Sequence, residues 1–500
     1  MGMEWFVWGW LVAVGIVFAS AIIWLFPRMP EQYVRIHVWL LLLPGAAALA
    51  GWISAGTVEV GMWRFDTVSW LVGIYISLLS WVIQRFALRY LYGDRAYRFY
   101  FSLLTWTAFA ASLTWAGGDL RLMAICWGMP LIGLVALTAL KKEWGPARFV
   151  ARQMALVFGI SWLAVTVVAV WLGTATGEWQ LASALSVEPL ARLDAWEKAV
   201  MNGLLILAAI IPAGQWPFHR WLMESAVTPT PVSAIMHAGI VNAGGLLLWC
   251  FSPLFSGTGA HAALFLIAFF SILIGTGISL VHVDYKRQLV ASTMAQMGVM
   301  FVQCALGSYG GAVAHLMLHG LFKATLFLQS GSVVPQVGRA GYRKAGGSWR
   351  SGMIVGALLG TAFWLFASGE PARLLSALLF GASASVAWGR LADFREGRWF
   401  GFAVVATLAF VSETVRHQFM VLFNEERVFS FVPSASFEWM VGMIFAAAAL
   451  AAVWIANRRT SMLAVRLYMR FVHFGEPRPA AMETHPHYLT TYMKEGMARE

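Results

Sequence analysis

The stretch AGQWPFHRWLMESAVTPTPVSAIMHAGIVNAGG, residues 213–245, decides the fold. Pro212 just before it and Pro217 within it stand where a membrane-spanning helix should be continuous, so the helix breaks there. Broken helices at membrane depth expose backbone polar groups, and they are tolerated only beside protein or a water-filled cavity. A new helix starts at TPTP, residues 228–231, with Thr228 or Thr230 as its cap and Pro229 or Pro231 in its first turn. His237 follows about two turns in, and NAGG, residues 242–245, permits close helix packing. A lone histidine on an apolar helix is more often a satisfied core residue than a relay; the broken helix beside it shifts that balance toward the relay.

The surrounding chain is a membrane protein. Its 500 residues are 60% hydrophobic and 12% charged, with mean hydropathy +0.70, and no soluble domain of this size could hide so much apolar surface. The cation excess would suggest nucleic acid in a soluble chain, but here it follows from topology, so no nucleic-acid partner is expected. Cys126, Cys250 and Cys304 lie far apart inside apolar segments and read as small core residues, not as a disulfide framework or a metal set. The first apolar run, with Glu4 ahead of it and no basic start, reads as a retained span.

A span needs about 20 mainly apolar residues. Fifteen windows qualify (a count of 13–16), near 5–26, 34–53, 66–84, 99–116, 120–140, 153–173, 197–216, 228–250, 260–281, 289–306, 311–330, 351–368, 372–389, 399–422 and 435–456. With the N-terminus outside, 27 of the 35 Lys and Arg fall in inside loops and the tail, and six fall in outside loops. That asymmetry predicts an inner-membrane, multi-pass chain with a cytoplasmic C-terminus. The expected organisation is an all-α transmembrane domain over 1–456 and a cytoplasmic tail over 457–500, whose RRTSMLAVRLYMRFVHFG reads as an interfacial helix.

The two remaining cations, Lys323 and Arg416, lie inside spans. A charge at the bilayer centre costs about 2.5 kcal/mol or more, so such residues face protein or water and suggest a pathway. In GAVAHLMLHGLFKATLFLQSG, residues 311–331, His315, His319 and Lys323 recur every four residues and share one helix stripe. Imidazole titrates near neutrality and buried Lys can be brought there, so the stripe can pass protons; the alternative is polar glue between helices. Glu413, Arg416 and His417 likewise share a face, either continuing the path or simply neutralising one another.

Three motifs together, residues 214–241, HVDYKRQLVASTMAQMGVMFV at 282–302 and HLMLHGLFKATLFLQSGSV at 315–333, resemble the proton-translocating antiporter-like subunits of respiratory complex I and Mrp antiporters. The resemblance runs from about Asp94 to Val334 and implies two inverted five-helix repeats, each with a discontinuous helix, and a hydrated line of Glu, Lys and His at the membrane centre. By position it implies a proton path through His237, His315, His319 and Lys323. It matches Asp284, Lys286 and Arg287 to the family's polar loop, where a simple cytoplasmic turn is the competing reading.

The departures matter as much. Where the family has a Trp-Glu pair, this chain has Trp127 followed by Gly128, and Pro212 stands in the place of the family's Lys before the break. Nothing after residue 350 resembles the family's late Lys span. The branch that tolerates such losses is the membrane subunit of Dab-type inorganic carbon accumulation complexes. It implies a large soluble partner with a carbonic-anhydrase-like zinc site, and a membrane subunit that conducts cations, H+ first, to drive CO2/bicarbonate uptake. This chain carries no zinc-ligand set, phosphate loop or dinucleotide fingerprint, so it is expected to be no enzyme and to hold no cofactor of its own. The alternatives are an Mrp or complex I-like Na+/H+ antiporter subunit and a non-conducting anchor.

Overall fold

A computed structural model describes residues 2–255, 258–333, 349–366, 373–391, 398–424, 434–458 and 460–482. The chain begins with α1 (Glu4–Trp24), α2 (Tyr33–Leu40), α3 (Leu43–Ala55), α4 (Thr67–Tyr90), α5 (Tyr97–Ala116), α6 (Leu120–Ala139) and α7 (Gly145–Thr176). Two short turns, α8 (Leu181–Ala184) and α9 (Val187–Ala191), lead to α10 (Ala195–Ile210), α11 (Arg220–Glu224), α12 (Thr230–Ala238) and α13 (Ala243–Cys250). The remainder is α14 (Thr258–Val281), α15 (Tyr285–Ala305), α16 (Tyr309–Leu328), α17 (Trp349–Phe366), α18 (Arg373–Leu391), α19 (Arg398–Asn424), α20 (Ala435–Asn457) and α21 (Met462–Gly475).

Each of the fifteen apolar windows overlaps a helix or a helix pair, and the seventh, 197–216, runs past the end of α10 at Ile210. Among the described residues, nine are long and apolar enough to cross a membrane by length and composition: α1, α2–α3, α4, α6, α7, α12–α13, α14, α16 and α20. One departure from the all-α expectation is a hairpin, β1 (Val58–Val60) with β2 (Trp63–Phe65), paired antiparallel. Gly61 turns it at φ +59°, a left-handed conformation that glycine adopts without cost, and Glu59 pairs with Arg64 at 2.8 Å.

Local chemistry sets the helix ends. Asp66 caps α4 by accepting from Ser69 N at 2.9 Å, and Asp194 and Glu197 form a capping box at α10. Pro44, lacking an N–H, sits in the first turn of α3, where the second window divides. The interior is large and aromatic: Trp10, Trp24, Phe65, Trp70, Phe101 and Phe109 are fully buried. All three cysteines are buried.

The segment 211–245 departs from a continuous helix twice. α10 stops at Ile210, and residues 211–219 run without helix through a cis Trp216–Pro217 bond before α11. The second break is one the sequence reading misses. The window 228–250 divides at Gly239 (φ −117°, ψ −82°) into α12 and α13, with a 3-10 turn over Ile240–Asn242. The freed Ala238 carbonyl accepts from Tyr75 Oη at 2.8 Å and Asn242 Nδ2 at 2.9 Å. The expected threonine cap is also corrected. α12 starts at Thr230 with Pro231 in its first turn, and no side chain caps it. Thr228 Oγ1 donates to Ser225 O (2.9 Å) and lies 3.0 Å from Ser233 Oγ, while Thr230 Oγ1 donates to Tyr90 Oη at 3.2 Å. Gly244 and Gly245 pack tightly: a Cβ on either would lie 2.6 Å from Ala209 O or Met300 Sδ.

The tail crosses back over the bundle. α21 packs on α14, with Phe471 against Gly277 and Phe474 edge-on to His219. Beyond it Arg478 reaches the buried Glu224 in a two-pronged ion pair, at 2.7 and 2.8 Å, and lies over the Phe149 ring. The end of the tail, including residues 484–488, lies outside the described residues.

Candidate functional site

Helices α12, α15, α16 and α19 bring the ionisable residues together. α16 packs against α12, α15 and α19, and its stripe of His315, His319 and Lys323 faces them. Gly320, between His319 and Lys323, makes the approach possible, since a Cβ there would collide with Tyr75 Oη and lie 2.7 Å from Ala238 O. The stripe therefore meets α12 at its break.

Each residue of the stripe has a distinct setting. Lys323 is buried, and its ammonium donates to Leu289 O at 2.9 Å and Ser292 Oγ at 2.5 Å, both on α15. His319 is buried, and neither ring nitrogen has a partner among the described residues. His315 is half-buried, with its ring 5.8 Å from that of His319. His237 is fully buried and stacks on Phe327 at 4.4 Å, its ring nitrogens likewise without a partner among the described residues. It lies within Coulombic range of Lys323 and Lys286, and His319 within range of His315, Lys323 and His237.

Cavities flank this row. At the end of the bundle that carries Arg85 and Arg89, one of about 530 Å³ is lined by Tyr90, Asp94, Lys141, Thr228, Asp284 and Lys286. There Asp284 caps α15 by accepting from Arg287 N at 3.0 Å, and Lys286 donates to Thr228 O, tying the loop ahead of α12 to α15. Nearby His282 accepts from Asp284 N at 3.0 Å; burial first, then the Arg287 charge, holds its imidazole below the usual range. Away from Lys323, a cavity of about 590 Å³ is lined by His315, Gln303, Glu413 and Arg416 among others. Glu413 and Arg416 do pair, and Arg416 also lies over the Phe363 ring, so the pair forms part of the wall of the space His315 enters. His417 is exposed and is not in that lining.

The first half of the bundle contrasts with this. A Cβ on Gly128 would lie 2.7 Å from Trp162 Cδ1, and Trp162 Nε1 is held by Ala124 O at 3.0 Å. Trp127 and Pro212 line a cavity of about 60 Å³ with Ile76, Leu79, Leu131 and Ile235. Two buried polar groups escaped the sequence reading: Glu224, and a His37 network joining α1, α2, α4 and α5. Neither has a local sequence signal, because their partners lie far along the chain. Among the described residues no three His, Cys, Asp or Glu side chains converge as a metal site.

Comparison with known proteins agrees with this architecture. The transmembrane family described as NADH:quinone oxidoreductase/Mrp antiporter matches residues 117–384. The "Probable inorganic carbon transporter subunit DabB" of Bacillus subtilis (strain 168) is 45% identical over 490 residues, covering 97% of this chain and 96% of its own. The protein of the same description from Bacillus anthracis is 43% identical over 495 residues, with coverage of 97% and 96%. Among solved structures, the Mrp complex from Dietzia sp. DQ12-45-1b aligns with a TM-score of 0.65 at 20% identity, over 98% of this chain and 59% of that one. The membrane-bound sulfane sulfur reductase, an archaeal respiratory membrane complex, gives 0.58 at 17% identity, over 94% and 99%. The two structural likenesses show the fold.

Proposed function

The chain belongs to the NADH:quinone oxidoreductase/Mrp antiporter membrane family, and within it to the inorganic carbon transporter subunits DabB, and from that premise we propose that it couples a cation gradient to carbon uptake. It is a multi-pass membrane subunit of a carbon uptake complex. The coupling ion in this reading is H+, handled by His237, His319, His315 and Lys323. Glu413 and Arg416 flank the far side of the row, and Asp284 and Lys286 stand at its other mouth. The chemistry of carbon belongs to a large soluble partner with a carbonic-anhydrase-like zinc site. The membrane is the cell's inner membrane, with the N-terminus outside and the tail in the cytoplasm.

One observation carries the reading: four ionisable side chains meet at a broken helix, between two cavities, in a bundle where each such charge costs about 2.5 kcal/mol or more in lipid. Imidazoles pass protons by accepting at one nitrogen and releasing from the other, and Lys323 can cycle between ammonium and amine. Interconversion of CO2 and bicarbonate runs in either direction near equilibrium, so net accumulation needs an outside drive. The proton row supplies it.

The test uses the assembled pair in cells that need it for growth at ambient CO2. Lys323→Ala should abolish carbon uptake while assembly persists, and Lys323→Arg should fail too, because Arg stays charged. An uncoupler should collapse uptake in the wild type. Na+/H+ exchange by this subunit in vesicles, or uptake indifferent to the uncoupler, would overturn the proposal. Single cysteines at Arg95 and Arg148 should label from the cytoplasm only; labelling from outside would reverse the orientation.

A further inference from the structure

The buried network around His37 is not part of that row. Ser20 Oγ lies 2.9 Å from His37 Nδ1 and 2.9 Å from Tyr33 Oη. On the opposite side of the ring, His37 Nε2 lies 2.9 Å from Thr105 Oγ1, which accepts from Gln84 Nε2 at 3.0 Å. His37, Gln84 and Thr105 have no solvent exposure, and Tyr33, at the Arg85 end, is half-buried. Both ring partners are hydroxyls, and this is what sets the network apart from glue. A carbonyl partner would lock one tautomer, whereas a hydroxyl can donate or accept. Either neutral tautomer of His37 keeps both hydrogen bonds, and so does the imidazolium, which donates from both nitrogens to Ser20 and Thr105. The site can therefore hold a proton, or let one arrive at Nδ1 while another leaves from Nε2, without losing a bond.

The line continues inward along α4. Gln84, Ser80 and Ser77 succeed one another at helical spacing, and Gln84 Oε1, Ser80 Oγ and Ser77 Oγ are buried with no partner among the described residues. Ser80 lines the cavity of about 60 Å³, whose wall also includes Tyr75, Ala238 and Gly239. That volume has room for water, which takes about 10–15 Å³ on this measure. It ends at the break beside His237.

We propose that Tyr33, Ser20, His37 and Thr105 form a second proton-loading branch, which opens at the Arg85 end and discharges through the Ser80 cavity to the broken helix at Gly239. Gln84 orients Thr105 and does not itself carry the proton. The branch supplies the first half of the bundle with a neutral-hydroxyl route where it lacks a carboxylate and a lysine. It rests on the reading that the chain conducts protons.

The test measures proton flux through the assembled complex in vesicles carrying an internal pH dye, with thermal unfolding in parallel. His37→Gln keeps an amide able to bond both hydroxyls but binds no proton, and Thr105→Val keeps the shape and removes the relay hydroxyl. Both should lose most of the flux, and Thr105→Ser should restore it. Normal flux in His37→Gln, with Lys323→Ala still inactive, would make His37 a packing residue and overturn the branch alone. Absence of proton flux in the wild-type complex would overturn the conduction reading and the branch together. Should His37→Gln unfold, the Thr105→Val and Thr105→Ser pair decides: loss in Val with rescue in Ser supports the branch, and equal flux in both overturns it.

Discussion

The helices around Trp127 and those around His319 enclose spaces of opposite character. Beside Trp127 the cavity is about 60 Å³, and Trp162 covers the backbone of Gly128. Beside His315 the cavity is about 590 Å³, with Gln303, Glu413 and Arg416 in its wall. The contrast teaches that a bundle can keep the same helix packing while withholding fixed charges from one part of it. Fixed charges are then concentrated where a broken helix and a large cavity can solvate them.

The largest expected effect comes from undoing that contrast. Gly128→Glu places a Cβ 2.7 Å from Trp162 Cδ1 and a carboxylate among apolar side chains. A loss of more than about 4 kcal/mol should follow, seen as failure to elute as a folded species from size exclusion in detergent. Recovery with Trp162→Ala would show that the ring closes this half; a stable, active single variant would erase the difference between the halves. Next is Arg478, which touches Gln153 and Phe149 of α7 and grips Glu224 of the broken segment. Arg478→Ala strands a buried carboxylate and should cost about 3 kcal/mol in chemical denaturation, most of it regained on adding Glu224→Gln. Retention of full stability by the single variant would show that the strap does not hold the two parts together.

A smaller change is expected at Gly320, where α16 meets Tyr75 and Ala238. Gly320→Ala should cost about 2 kcal/mol in thermal unfolding and reduce carbon uptake more than Gly331→Ala, whose Cβ meets nothing within 4 Å. Equal uptake in the two would mean that close approach at the break is unimportant. The smallest effect is a pH dependence at His282, outside the row. Its pKa is lowered on folding, so its contribution to stability is fully present above the unfolded value near 6.5 and is lost as pH falls below it toward the folded one. The slope of stability against pH below that value should flatten in His282→Asn; an unchanged slope would assign the dependence elsewhere.

The apolar windows and the His315–His319–Lys323 stripe were legible because both are short-range patterns, set by span length and by a four-residue spacing. The Gly239 break was not. HAGIVNAGG reads as one apolar helix, a glycine costs a helix only about 1 kcal/mol, and the groups that satisfy the opened turn include Tyr75, 163 residues away. The threonine cap failed for a related reason, since Ser225, Ser233 and Tyr90 engage both hydroxyls. The His37 network was not legible either, because His37 and its partner Thr105 are 68 residues apart. The spacing of Glu413 and Arg416 was readable, but not that His315 shares their cavity.

The strap between Glu224 and Arg478 also has a consequence in time. The two residues are 254 apart in the chain, so at roughly 5–20 residues per second the carboxylate waits about 13–50 s on the ribosome before its partner exists. Through that interval the carboxylate must keep water or another cation for company, and the segment 211–224 cannot settle into its final place. Pulse-labelled chains should stay open to protease in that segment until Arg478 has emerged; early protection would show another group standing in. Maturation of the broken helix is thus tied to a late event of translation.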